Sequence, residues 1–185
     1  MITMEELERR INAVSSMTAA ELDALLHSCP EWVERKENED RASDAMAQEF
    51  DRDVAPLIAD LRAIGFEVKE PDELKSLPNA YPAAFPVLLR HLEKDYSGRV
   101  REAIISALGV ERASGEPIRA VLEQFRRSGD EERNIRFRMA DTLQIAADRS
   151  MAEELEQLAT KERDEGIAGI LTMAAKSAMK RKAVD

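Results

Sequence analysis

Residues 86–108 read PVLLRHLEKDYSGRVREAIISAL, which is two helical patterns separated by one turn. Leu88, Leu89 and Leu92, with Phe85 just ahead of them, fall at the three-and-four spacing of an amphipathic helix. Val100, Ala103, Ile104, Ala107 and Leu108 do the same in the second half. Between them Asp95, Tyr96, Ser97 and Gly98 supply turn chemistry. The stretch predicts a helical hairpin whose apolar face is too large to leave wet and too small to fold alone, so neighbouring elements must cover it.

Laying the chain against itself finds those neighbours. The pair Leu88 and Leu92 is matched 33 residues later by Val121 and Phe125, and again 33 residues later, more weakly, by Glu154 and Leu158. In the second helices Val100 corresponds to Ile135 and Ile167, Ile104 to Met139 and Leu171, and Leu108 to Leu143 and Ala175. Self-similarity at this period is the signature of stacked helical repeats, and three are about the minimum for a stable stack.

Ahead of the array, Thr3 with Glu6 and Thr18 with Glu21 read as capping boxes. The first opens a helix carrying Leu7, Ile11 and Val14 and ending near Ser15 or Ser16. The second opens one carrying Leu22, Leu25 and Leu26 that stops before Pro30. Ala42, Met46, Phe50, Val54, Leu57, Ile58, Leu61 and Ile64 predict one long helix from about Asp40 to Ile64, kinked or divided by Pro56. The charged stretch Glu34 to Asp44 reads as a solvated helix face or a mobile loop in preference to a dedicated acidic binding tail. Gly65 stands at a left-handed C-cap position with Phe66 behind it. Pro71, Pro78 and Pro82 then punctuate an irregular segment with room for one short helix from Pro71 to Leu77. The expected organisation is an acidic helical segment over residues 1–77, a repeat array over 81–179, and a basic tail over 180–185 whose Lys180, Arg181 and Lys182 complement the last helix dipole.

Composition agrees with an all-α class, since 35% of the 185 residues are charged, only 4% are aromatic and seven are glycine. A single cysteine, Cys29, cannot form an internal disulfide, and the first residues lack the apolar run of a signal peptide. No apolar run approaches the roughly 18 residues that cross a bilayer. A reducing, bacterial-type cytoplasm and no membrane are expected. The net charge of −10 is confined to the front: residues 1–75 carry 9 Lys or Arg against 19 Asp or Glu, whereas residues 76–185 carry 18 of each. That balance disfavours nucleic acid, which selects clustered Lys and Arg not offset by carboxylates.

The hairpin resembles the HEAT-repeat family, in which a helix beginning near proline is followed by Asp, a short turn, Val-Arg, a small residue and Ala-Leu. Pro86, Asp95, Val100, Arg101, Ala103, Ala107 and Leu108 stand at those places. The second repeat keeps Pro117, Asp130, Ile135, Arg136 and Leu143 but has Arg138 where Ala103 sits, and the third lacks the proline and has Ala168 in place of the arginine. The resemblance implies a right-handed α-solenoid of about three helical hairpins with an extended binding surface. Such arrays serve mostly as protein-binding scaffolds, and one bacterial group resembling them excises alkylated bases from DNA.

Arg101 and Arg136 are equivalent in consecutive repeats and are accompanied by Arg99, Arg133 and Arg138, so stacking would align guanidiniums along one surface. They form either a strip for phosphate or for a partner's acidic groups, or a structural ladder in which Arg101 and Arg136 bond Asp95 and Asp130. Arg138 breaks the repeat pattern, and its head is expected to reach solvent or a carboxylate such as Asp141. His27 and Cys29 lie close together, but His91 is in another segment and no second cysteine exists, which falls short of a zinc ligand set. Trp32 is expected to pack the first two helices onto the long one. No phosphate loop, HExxH or GxSxG pattern is present, and no catalytic residue, metal or cofactor is assigned. The expected function is a non-enzymatic protein-binding scaffold or regulatory adaptor whose partner is another protein. A DNA-binding or base-excising protein and a toxin-neutralising inhibitor are the alternatives.

Overall fold

The structure, a computed structural model, describes residues 1–13, 16–77, 81–110, 113 and 115–181. Val14, Ser15, Pro78 and Lys182, which entered the sequence expectations, lie outside the described residues. Nine α-helices are assigned among the described residues: α1 (Met4–Ala13), α2 (Ala19–His27), α3 (Pro30–Ala63), α4 (Phe85–Leu92), α5 (Gly98–Leu108), α6 (Glu116–Arg127), α7 (Arg133–Ala146), α8 (Ala152–Lys161) and α9 (Glu165–Lys180). Short 3-10 turns span Pro71–Ser76, Pro82–Ala84, Asp130–Glu132 and Arg149–Met151, and no strand occurs among the described residues. The chain is all-helical, and it divides into two compact units, Met1–Asp51 and Arg52–Asp185.

In the first unit local capping sets the helix starts. The Glu6 amide donates to the Thr3 hydroxyl at 3.3 Å, and at Thr18 both halves of the capping box form, with the Thr18 amide donating to Glu21 Oε2 at 2.9 Å. The α2 helix ends at His27, two residues short of Cys29, and Pro30 opens the next helix instead of merely ending this one. The long helix consequently begins ten residues earlier than expected, and the charged stretch Glu34 to Asp44 is one of its solvated faces. Lys36 and Asp40, one turn apart, meet at 2.6 Å on that face. Little here is buried: Leu7 and Cys29 are covered, Leu25 and Leu26 half-covered, while Ile11, Leu22 and Met46 are exposed. Trp32 is half-buried, edge-on to His27 with ring centroids 5.6 Å apart, so it packs on the end of α2.

Pro56 neither divides α3 nor ends it; the helix runs through to Ala63. It stops at a complete Schellman motif. Gly65 takes φ +92°, its amide bonds the Arg62 carbonyl at 3.0 Å, and the Phe66 amide reaches back to the Leu61 carbonyl at 3.1 Å. Val54, Leu57, Ile58, Leu61, Val68 and Leu74 are buried, which explains why residues 52–77 share a unit with the helices that follow instead of forming a segment with residues 1–51. The Pro71–Ser76 turn packs on α5. Tyr81 donates from its hydroxyl to the Ala107 carbonyl at 2.6 Å, and burial together with the Asp72 charge pushes that phenol up to about 12.

The remaining helices pair as α4 with α5, α6 with α7, and α8 with α9, while α7 also packs against both α5 and α9 and α4 against α6. The anticipated stripes supply most of the core. Phe85, Leu88, Leu92, Val100, Ile104, Leu108, Val121, Phe125, Ile135, Met139, Leu143, Ile167 and Leu171 are all buried. In α5 burial extends to Ile105 and Ser106, because that helix is covered by α4, α7 and the Pro71–Ser76 turn together. The expected pair Glu154 and Leu158 is only half-buried. The residues of α8 that enter the core are Ala152 and Leu155.

Candidate functional site

Four of the expected arginines, Arg99, Arg101, Arg133 and Arg136, sit in the first turns of α5 and α7. Arg101 on α5 bonds Glu132, at the entry to α7. Arg133 on α7 donates to Asp164, at the entry to α9, at 2.6 Å. Both links span 31 residues. Arg136 is the most enclosed, with 11% of its side chain exposed, and bonds Glu162, whose side chain is 4% exposed. Its Nη1 also donates to the Ser128 carbonyl at 2.7 Å and the Phe125 carbonyl at 3.1 Å, and its guanidinium lies 4.2 Å from the Phe125 ring centroid. In effect Arg136 caps the C-terminus of α6. Arg181 does the same for α7, donating to the Ala147 carbonyl at 2.9 Å.

A ladder therefore exists, but its partners differ from those anticipated. Asp95 and Asp130 do not receive Arg101 and Arg136; the carboxylates of the following turn do, and Asp130 instead faces Arg163 at 3.5 Å. Tuning of the acids fits these roles. Burial pushes the Glu162 carboxyl up, but the Asp164 amide, the Arg136 guanidinium and the Arg163 amide outweigh it and hold the group below its usual range. The Asp164 carboxyl is lowered by the Ile167 amide, then by Arg133, since it caps α9 and holds the ladder at once.

Arg138 stands apart. Its head is 3.9 Å from Asp141, beyond hydrogen-bond range, and both side chains are 42% exposed. Beside it on α7 Phe137 and Ile145 remain exposed at 41% and 36%, and Phe137, Asp141 and Ile145 recur at intervals of one turn. Arg99 is exposed at the start of α5. Arg101, Arg133 and Arg136 are thus tied to carboxylates of the fold, and Arg138 belongs to a mixed apolar and charged face.

Two arrangements had no sequence signal. His91, fully buried, lies between Asp60, whose Oδ2 is 2.8 Å from Nε2, and the Tyr96 hydroxyl, 2.7 Å from Nδ1. Those distances fit an imidazole donating to the carboxylate and accepting from the phenol. Arg90 also donates to Asp60 at 2.9 Å, and His91 followed by Arg90 holds that carboxyl below its usual range. With no exposed imidazole edge, the relay serves to tie α3 to α4 and to the turn before α5. Its members are 31 and 5 residues apart, at no recognisable spacing. The other arrangement is Asp148, a buried carboxylate beside a groove.

No group of three or more His, Cys, Asp and Glu side chains that could hold a metal ion occurs among the described residues, and none of the described helices is long and apolar enough to cross a membrane. No family model, curated protein or solved structure matches the chain.

Proposed function

We propose that the chain is a HEAT-like helical-repeat scaffold that binds another protein without catalysing a reaction, using the outer surface of its second helices. The helix pairing, the contacts of α7 with α5 and α9, and two ion pairs that each span 31 residues support the repeat architecture. The observation that carries the binding role is the face of α7 on which Phe137 and Ile145 stay exposed beside Arg138. Large apolar side chains next to a loosely held guanidinium are what an interface core requires, with aromatic and arginine anchors contributing most of the energy. The engagement of Arg101, Arg133 and Arg136 with carboxylates weighs against the DNA reading, which needs guanidiniums available to phosphates.

The test is affinity purification with the full chain as bait in mild salt, run beside Phe137→Asp and Arg138→Glu. Both substitutions are at exposed positions and should leave the melting temperature essentially unchanged. A partner held by the wild type and lost by both variants is the expected result. Recovery of no stable partner, or one retained equally by all three chains, would sink the proposal.

A further inference from the structure

Between α7 and α8 the chain reads Ala147-Asp148-Arg149-Ser150-Met151 and folds into the tight turn over Arg149–Met151, with Asp148 at its N-cap. One carboxylate oxygen is fully used: Oδ1 accepts from the Ser150 amide at 2.7 Å and from the Ser150 hydroxyl at 2.6 Å. The other is not. Asp148 is 1% exposed, and its Oδ2 is the one buried side-chain polar atom among the described residues that lacks a hydrogen-bond partner. Turn formation accounts for Oδ1 and leaves Oδ2 without a purpose, although a buried carboxylate oxygen with no donor is costly.

That same residue lines a groove of about 510 Å³ between α6 and the turn. The size is in the range of ligand-holding clefts. Glu116 and Glu123 of α6 add two more carboxylates, against the single guanidinium of Arg119. Arg119 reaches Asp148 only through the Ser150 hydroxyl. Its Nη2 stops at the Ser150 hydroxyl, 3.1 Å away, one group short of the carboxylate. Glu123 already shares Arg126 at 3.2 Å. Ala120 and Met151 supply apolar wall between the charges.

We infer that this groove receives a lysine side chain of a partner protein, its ammonium donating to Asp148 Oδ2 while its methylenes lie along Ala120 and Met151. Lysine fits better than arginine because only one carboxylate oxygen lacks a donor. A guanidinium reaches its advantage through two parallel bonds to both oxygens, whereas an ammonium is a point charge satisfied by one. The apolar wall suits the four-carbon stem. The occupant's source rests on the protein-binding role proposed above, but the groove does not include Phe137 or Arg138, so each can fail without the other.

The experiment is an NMR titration of the ¹⁵N-labelled full chain at low salt with Nα-acetyl-lysine methylamide. The same compound acetylated at Nε and the corresponding arginine derivative serve as comparisons. Saturable shifts at Ala120, Ser150 and Met151 are expected with lysine, weaker ones with arginine and none with the neutral compound. Asp148→Asn keeps the turn acceptor but replaces the unpartnered oxygen by a donor, and it should weaken binding about tenfold or more. Glu116→Gln, at an exposed position that does not threaten folding, should weaken it about two- to threefold through lost long-range attraction. Absence of saturable shifts, equal binding of the neutral compound, or unchanged affinity in Asp148→Asn would each overturn the inference. So would a loss of stability in Arg119→Gln equal to that in Asp148→Ala, which would make Arg119 the internal partner of the buried oxygen.

Discussion

Residues 1–51 and 52–185 are both helical, yet different physics holds them. In the first unit Leu7, Cys29 and Phe50 are the buried apolar residues described, and helix starts rest on capping boxes and one-turn ion pairs. In the second, every helix from α4 to α9 buries apolar side chains, and ion pairs join successive helix pairs. A helix made by local bonds keeps its length and loses little when one residue changes. A helix made by packing has its position fixed by its neighbours, and a change at one contact is felt across the unit.

The sharpest way to break this contrast is to truncate one buried and one exposed apolar residue. Leu143→Ala, at a fully buried position in α7, should destabilise the protein by about 2–5 kcal/mol in urea unfolding, whereas Met46→Ala, 56% exposed, should stay within about 0.5 kcal/mol. Equal effects would mean that the first unit is packed as tightly as the second.

Next in size is the enclosed pair. Glu162→Gln should cost about 2–3 kcal/mol at neutral pH, somewhat below the usual loss for a broken buried pair, because Arg136 keeps the Phe125 and Ser128 carbonyls. Because the folded-state Glu162 carboxyl is held below its unfolded value, its stabilisation is complete above the unfolded pKa of roughly 4 and is lost as pH falls through the lower, folded one. Melting temperature against pH should therefore fall less steeply on the acid side in Glu162→Gln than in the wild type. Parallel curves would show that the pair contributes nothing to acid sensitivity. A smaller loss belongs to the first unit: Thr18→Ala removes the hydroxyl half of the capping box, leaves the residue-18 amide on Glu21, and should cost about 1 kcal/mol, read as lost helicity by circular dichroism.

Why the two units were unequally legible follows from the same contrast. Thr18 with Glu21, Gly65 with Phe66, and the stripes of α4 to α7 announce themselves because cap chemistry and helical period are local properties of sequence. Ion-pair partners are set by which turns the helix packing brings together, so Arg101 could be expected to matter while Glu132 could not be chosen over Asp95. Pro30 was ambiguous in principle, since proline both ends one helix and begins the next. Asp148 carries no pattern at all: an aspartate before a helix is ordinary, and only burial reveals that half of it is unused.

The ladder also has a direction in time. Arg101 and Arg133 each bond a carboxylate 31 residues further along the chain, so on a ribosome each guanidinium emerges before its partner has been made. At roughly 5–20 residues per second that interval lasts about two to six seconds. Throughout it, a newly made helix pair carries a guanidinium whose carboxylate partner has still to emerge, and each link closes only once the following turn has been made.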